Sequence, residues 1–294
     1  MSPPGRPSGY LPDAADAGGA RDPVGVVPPA PSSGRDTEGQ ATTSSAVRRA
    51  ADVLAALTDQ SDVGVSELSR RFGWPKSVTH RVLNTLADAG LLAPDPLTRR
   101  YHLGPAALRL GLAALARSDV HRLALPHLRA LRERTGETAT LTFLSGETRL
   151  YVDQVESRHP VRQSIKLGSH APLYVGANSK AMLAFLPANH QERVLASAVG
   201  ATRADGSPVD VQVLRAELET IRSLGYAISQ SERIAGATSV AAPILDAKAE
   251  VVGSISVAGV TVRQDRAALD AIGPIVRAEA RALSAELGWT PTAG

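Results

Sequence analysis

The chain of 294 residues contains no cysteine. That excludes disulfide staples, thiolate metal sites and a cysteine nucleophile, and it fits a reducing compartment. Apolar runs of membrane-spanning length are missing too, and the opening Met1-Ser2-Pro3-Pro4-Gly5 lacks the basic-then-apolar pattern of a secretory signal. The expectation is a cytoplasmic protein without membrane contact. No internal repeat of solenoid period occurs. What is present is 43% hydrophobic residues, enough to bury cores and to exclude a wholly disordered chain. The length suits about two domains.

Charge is low overall, +3, but unevenly placed. Residues 1–44 hold 8 of the 20 prolines and 7 of the 25 glycines, with a net charge of −2. Such a stretch buries too little to offset its ordering entropy and reads as a disordered tail. Its sign is wrong for a nucleic-acid arm. Residues 45–118 carry +4 and residues 119–294 only +1, so the basic character sits where a polyanion could use it.

Within the basic segment, Val47, Ala50, Leu54 and Leu57 recur at helical spacing. After the polar turn Asp59–Gly64, Ser66 is a candidate cap for a second short helix that carries Leu68 and Phe72 and stops at Gly73. Pro75 suits the first turn of a third helix reaching about Ala89. Two short helices joined by such a turn are the mark of a helix-turn-helix. At 100° per residue Thr79, Val82, Leu83 and Leu86 form the inner stripe of the third helix. Ser77, His80, Arg81 and Asn84 lie opposite, with Lys76 and Val78 beside them. Arg can take guanine O6 and N7, Asn or His a base edge, and a Val methyl the thymine methyl. A solvated helix face would look the same on its own. The segment C-terminal to this helix decides against that. Leu91–Ala93, a turn at Asp95–Thr98, then Arg99–Leu103 make a hairpin with a basic edge, a wing whose arginines would hold phosphate.

The run from Gly64 to Leu86, with Ser66-Glu67-Leu68-Ser69-Arg70 and Lys76-Ser77-Val78-Thr79-His80-Arg81, resembles the DNA-binding domain of IclR-family transcriptional regulators. The wing ending Tyr101-His102-Leu103-Gly104 is similar as well. The chain departs from the family at Val78-Thr79, where Thr then Val is common. That puts a hydroxyl toward the core and an apolar group toward DNA. Arg70, Lys76, Ser77, Val78, His80, Arg81, Asn84, Arg99 and Arg100 are the expected contacts to double-stranded operator DNA.

From Pro105, Leu108, Leu112 and Leu115 mark a linker helix that could pack on its own domain or on a twin. The family resemblance implies the twin, hence a homodimer or homotetramer on an inverted repeat. Leu123, Leu128 and Leu131 lead into a second domain. There, strand-like segments at Thr138–Leu144, Leu150–Val155, Val240–Leu245 and Val251–Ala258 mix with helical ones near Ala177–Leu186 and Val211–Leu224. A last helical region runs from Leu269 to Leu287, with Pro274 expected to break off its first turn. The expected fold class is α+β with two domains, the second built on an antiparallel sheet. The expected divisions are a tail (1–44), a winged helix-turn-helix (45–104), a linker helix (105–118) and an effector domain (119–290).

The search for catalysis is thin. The histidines lack the spacing of a helical metal site. Gly253-Ser254-Ile255-Ser256 has the wrong spacing for a nucleophile elbow, and Gly176-Ala177-Asn178-Ser179-Lys180 is no phosphate loop. No metal or cofactor is expected. A binding cavity is easier to argue: alternation places Ser254, Ser256 and Ala258 on one strand face, where a filled core would want larger groups. The helix beginning near Gly176 has amides that would suit an anion. Close packing of small residues is the alternative. Tyr151–Ser157, Pro172–Ala181, Gly225-Tyr226, Val240–Ile244 and Gly253–Gly259 resemble the sensor domain of the same family. The resemblance implies a GAF-like fold, effector contacts at Ala177, Asn178, Ser229, Ser239, Ser256 and Ala258, and repression as the usual sign of control. The resulting expectation is a transcriptional regulator answering to a small molecule, with a carboxylate as the candidate class. Its rivals are a small-molecule hydrolase using Ser179 or Ser256 and a nonspecific DNA binder.

Overall fold

The computed structural model describes residues 38–291. Of the expected tail, residues 1–37 lie outside them, whereas residues 38–44 are the start of a helix. This helix, α1 (Glu38–Asp59), buries Val53, Ala56 and Leu57 but leaves Val47 exposed, so its inner stripe begins later than the spacing implied. Next come α2 (Val65–Phe72) and α3 (Lys76–Asp88). Ser66 does not cap α2: Gly64 occupies that position and no side chain caps the helix. Gly73 closes α2 at φ 68°, a left-handed conformation that favours glycine.

Thr79, Leu83 and Leu86 are the buried residues of α3. The core-facing hydroxyl of Thr79 is satisfied locally, donating to the Pro75 carbonyl at 3.3 Å, so burial leaves no orphan. Strands β1 (Leu92–Pro94) and β2 (Tyr101–Leu103) pair antiparallel as the wing. Gly104 comes next, its backbone so close to Gly90 and Leu92 that an added Cβ would lie 2.4 Å from the Gly90 carbonyl oxygen. The amides of Gly104 and Ala106 donate to Leu91 and Gly90. The start of α4 (Pro105–Ala116) is thereby fixed to the wing.

No residue of α4 is buried, and Leu108, Leu110 and Leu112 are exposed. After Ser118, which caps it, α5 (Asp119–Thr135) buries Ala124, Leu128 and Leu131. Strands β3 (Thr138–Ser145), β4 (Thr148–Val155) and β5 (His170–Pro172) precede α6 (Ala177–Leu183), α7 (Ala188–Ser197) and α8 (Val211–Leu224). The chain closes with β6 (Ala227–Gln230), β7 (Ala237–Leu245), β8 (Val251–Val260) and α9 (Arg266–Glu286). All six strands of this domain form one antiparallel sheet in the order β5-β4-β3-β8-β7-β6. One face packs on α5 and α9 through Leu141, Val240, Ile255 and Val257; α6, α7 and α8 cover the other. The expected α+β class with an antiparallel sheet is what folds.

Pro274 does not break α9. A proline removes one ladder hydrogen bond, and the apolar face from Leu269 to Leu283 holds the helix across that gap. Beside it, Gly273 touches Tyr226 so closely that a Cβ would lie 2.2 Å from its ring. Strands β5 and β6 and helix α7 were not anticipated.

Candidate nucleic-acid interface and ligand pocket

The outer face of α3 presents Lys76, Ser77, His80, Arg81 and Asn84 to solvent, with Val78 half-buried. None of these carries an ion pair among the described residues. Asn84 is held on both sides: its amide nitrogen lies 3.1 Å from His80 Nδ1, and its oxygen accepts from the Tyr101 hydroxyl at 3.1 Å. That links recognition helix to wing. Between them runs an open groove lined by His80, Asp95, Arg99 and Tyr101. Arg99 is exposed at the wing tip with φ 56°, and Arg70 is exposed on α2.

Arg100, expected on phosphate, does something else. Its guanidinium is committed to the Asp62 carboxylate and to Glu67, the latter at 2.7 Å. Both hydrogen bonds raise the Arg100 pKa further above its ordinary value, and the Arg100 bond holds the Glu67 carboxyl below its own. Arg100, just before β2, therefore ties the wing to the loop before α2 and to α2 itself.

In the sensor domain the sheet register sorts the expected effector residues. Ser229 pairs with Ser239, Ser239 with Ala258, and Ala258 with Thr138, so these four form one row across β6, β7, β8 and β3. Ala227, Ala241, Ser256 and Thr140 form the next row, two residues along. Ser229, Ser239 and Ala258 of the first row border a cavity of about 40 Å³, also lined by Ala177 and Asn178. The second lies beneath α6, and Ser256 is fully buried there. Its hydroxyl lies 2.7 Å from that of Thr140 and accepts from Asn178 Nδ2 at 2.9 Å. Ser254 repeats the pattern one row further, bonding Asn178 Oδ1 at 2.9 Å and the Thr142 hydroxyl at 2.7 Å. Five of the six expected residues thus line the cavity. Ser256 instead sets the angle of one of them, Asn178.

The residues that give the cavity its charge were missed. Arg149 on β4 is buried, donates to the Ser179 hydroxyl at 2.6 Å, and lies 4.4 Å from the centre of the Tyr151 ring. Arg233 approaches the same ring at 5.6 Å. Burial alone would push the Tyr151 phenol up; the two guanidinium charges outweigh that and hold it below its ordinary value. Arg149 and Tyr151 stand two residues apart on one strand, which was the available signal. Reading the strand from Leu150 concealed it. The amide at the start of α6 is also already occupied: Gly176 donates to Glu232 at 2.9 Å, and Glu232 is held by Lys180, which reaches Glu217 at 3.0 Å. The anion expected at that helix start is internal. Ser179 bonds Arg149 and the Pro172 carbonyl and has no histidine beside it, so it is not arranged as a hydrolase nucleophile. The described residues include no helix long and apolar enough to cross a membrane and no His, Asp and Glu group suited to a metal.

A helix-turn-helix with a wing, joined by a helix to a sheet domain with a polar internal pocket, defines a ligand-responsive DNA-binding regulator. Comparison with known proteins makes this specific. The IclR helix-turn-helix domain matches residues 46–96, and the bacterial transcriptional regulator IclR C-terminal domain matches residues 112–285. The chain belongs to the IclR family of transcriptional regulators. It is 36% identical over 239 residues to the HTH-type transcriptional regulator BhcR of Paracoccus denitrificans, covering 81% of this chain and 86% of that one. It is 31% identical to the HTH-type transcriptional repressor AllR of Klebsiella pneumoniae, covering 78% and 84%. The crystal structure of an IclR-type regulator from Silicibacter shares the fold at a TM-score of 0.75 and 28% identity, covering 83% and 97%.

Proposed function

We propose that this regulator acts in the cytoplasm as a repressor that binds an inverted-repeat operator as a dimer, or a pair of dimers, and is released by a small carboxylate. The observation that carries the ligand class is the cavity itself, which Ser229, Ser239 and Ala258 line together with Tyr151 and the two arginines that approach its ring, Arg149 and Arg233. Charge-assisted hydrogen bonds from guanidinium groups suit a carboxylate, and the small row leaves it room. The exposed leucines of α4 support the twin contact. The name of the AllR relative supports repression. The proposed mechanism is a population shift: ligand favours one arrangement of the sensor domains and with it one spacing of the two α3 helices.

On DNA, Arg81 would read a base edge, while Arg99 and Arg70 would hold phosphate. Arg81→Ala should lose about 1–3 kcal/mol at the operator and relax base preference, whereas Arg99→Ala should weaken all sequences alike and reduce the salt slope. Equal losses on operator and random DNA for Arg81→Ala would remove it from base reading. For the pocket, gel-shift titrations with acetate, pyruvate and succinate should show release by at least one, and none by the matching amides. Release by amides alone would overturn the carboxylate reading.

A further inference from the structure

A second cavity, twice the volume of the first at about 80 Å³, lies at the other end of β7. Strand β6 begins at Ala227, opposite Ala241, so among the described residues no strand lies beside this edge of β7 from Ala242 to Leu245. Pro243 has no amide to leave unpaired there, which suits an edge. The walls are Phe185 after α6, Trp289 after α9, the apolar edge of β7 and the small residues Gly225, Ala280 and Ser284; every charged residue among them is an arginine. Arg222 of α8 and Arg277 and Arg281 of α9 line the cavity, and no carboxylate does.

Two of the three guanidinium groups are held in place. Arg222 donates to the Ala184 carbonyl at 2.6 Å and to Gln191 at 2.9 Å. Arg277 donates to the Leu224 carbonyl at 2.9 Å, and its stem lies over Gly225, where an added Cβ would come within 2.8 Å of it. These bonds occupy part of each guanidinium and fix its position. The Arg281 side chain makes no hydrogen bond or ion pair among the described residues. It is four residues beyond Arg277, so two like charges share one helix face, an arrangement that destabilises a helix unless something neutralises it. A stack of cations over an apolar and aromatic floor is half of a recognition site: it lacks the anion.

We propose that this cavity is a second ligand site, separate from the Arg149 pocket, which takes a carboxylate carried on a flat apolar body. The carboxylate would sit against Arg281 and Arg277, and the body would lie between Phe185, Trp289 and Pro243. Bidentate pairing with guanidinium supplies orientation, and the aromatic walls supply contact area. Strand β7 contributes Ser239 to one pocket and Pro243 to the other, about 13 Å apart at the usual strand rise. The two ligands would therefore grip the same strand.

Benzoate is a suitable probe. Trp289 lines this cavity, neither tryptophan lines the first pocket, and Trp74 lies in the DNA-binding domain. In a full-length Trp74→Phe protein, benzoate should change the fluorescence of Trp289 with a Kd on the order of 1 mM, the scale expected for a fragment of this size. Benzamide, which lacks the charge, and acetate, which lacks the body, should each bind about tenfold more weakly or worse. Arg281→Ala, an exposed change that leaves packing intact, should weaken benzoate by about tenfold, while Ala258→Leu in the first pocket should leave this signal unchanged. The proposal is overturned by no fluorescence change up to about 10 mM benzoate. It is equally overturned by Arg281→Ala binding like the parent, or by Ala258→Leu abolishing the signal.

Discussion

Ser256 and Ala258 stand two residues apart on one strand and have different jobs. Ala258 borders the ligand cavity, whereas Ser256 is sealed beneath α6 with Asn178 and Thr140. Ser256→Ala should therefore cost about 1–3 kcal/mol in urea unfolding, because it leaves the buried Asn178 amide short of an acceptor. Ala258→Leu should fill the cavity, keep operator binding and abolish release by carboxylate. A Ser256→Ala protein as stable as the parent would show that Asn178 finds another partner. Strand alternation placed both residues on the right face of β8. It could not say which row α6 covers, because that depends on how far along the sheet a distant helix lies. Arg149 was hidden for a related reason: a cation near a strand end reads as solvated until the partner Ser179, thirty residues on, folds over it.

At the scale of elements, the DNA-binding unit was the most legible part. The stripe of α3, the Gly73 stop and the wing all have local causes, and local causes are written in neighbouring residues. The short strands β5 and β6, of three and four residues, are too brief to show alternation, and pairing alone defines them. Arg100 shows the same limit. From sequence it belongs to a basic wing edge; in the fold it clamps Asp62 and Glu67. This has a pH signature. Glu67 titrates below its ordinary value of 4.5 in the folded protein, so its contribution is complete above that value and disappears as pH falls through the lowered one. The melting temperature of the winged unit should fall as pH drops below the ordinary Glu67 value of 4.5, and Arg100→Met should both lower it at neutral pH and flatten that decline. A steep decline retained in Arg100→Met would assign the acid sensitivity to other carboxylates.

At the scale of the whole molecule, α4 is an apolar helix with nothing buried. Placing charge at Leu108 and Leu112 should leave each domain folded, because neither side chain enters a core. The Leu108→Glu, Leu112→Glu protein should sediment as a smaller species and bind a full operator far more weakly than the parent, yet hold a single half-site about as well. Unchanged sedimentation would remove α4 from the proposed contact between copies.

Gly104 makes α4 a lever. Its backbone lies so tightly against Gly90 and Leu92 that the helix leaves the wing as a rigid arm, not a tether. With 12 residues the arm is about 18 Å long. If α4 and α5 turn by about 10° at Arg117 and Ser118, the far end swings by about 3 Å, close to one base-pair step. In the proposed dimer, two such heads, each seated in its own major groove a helical turn apart, would lose their shared fit to the duplex when that gap changes by one step. In that dimer a small rotation beside the sensor would become, through leverage alone, the difference between holding an operator and releasing it.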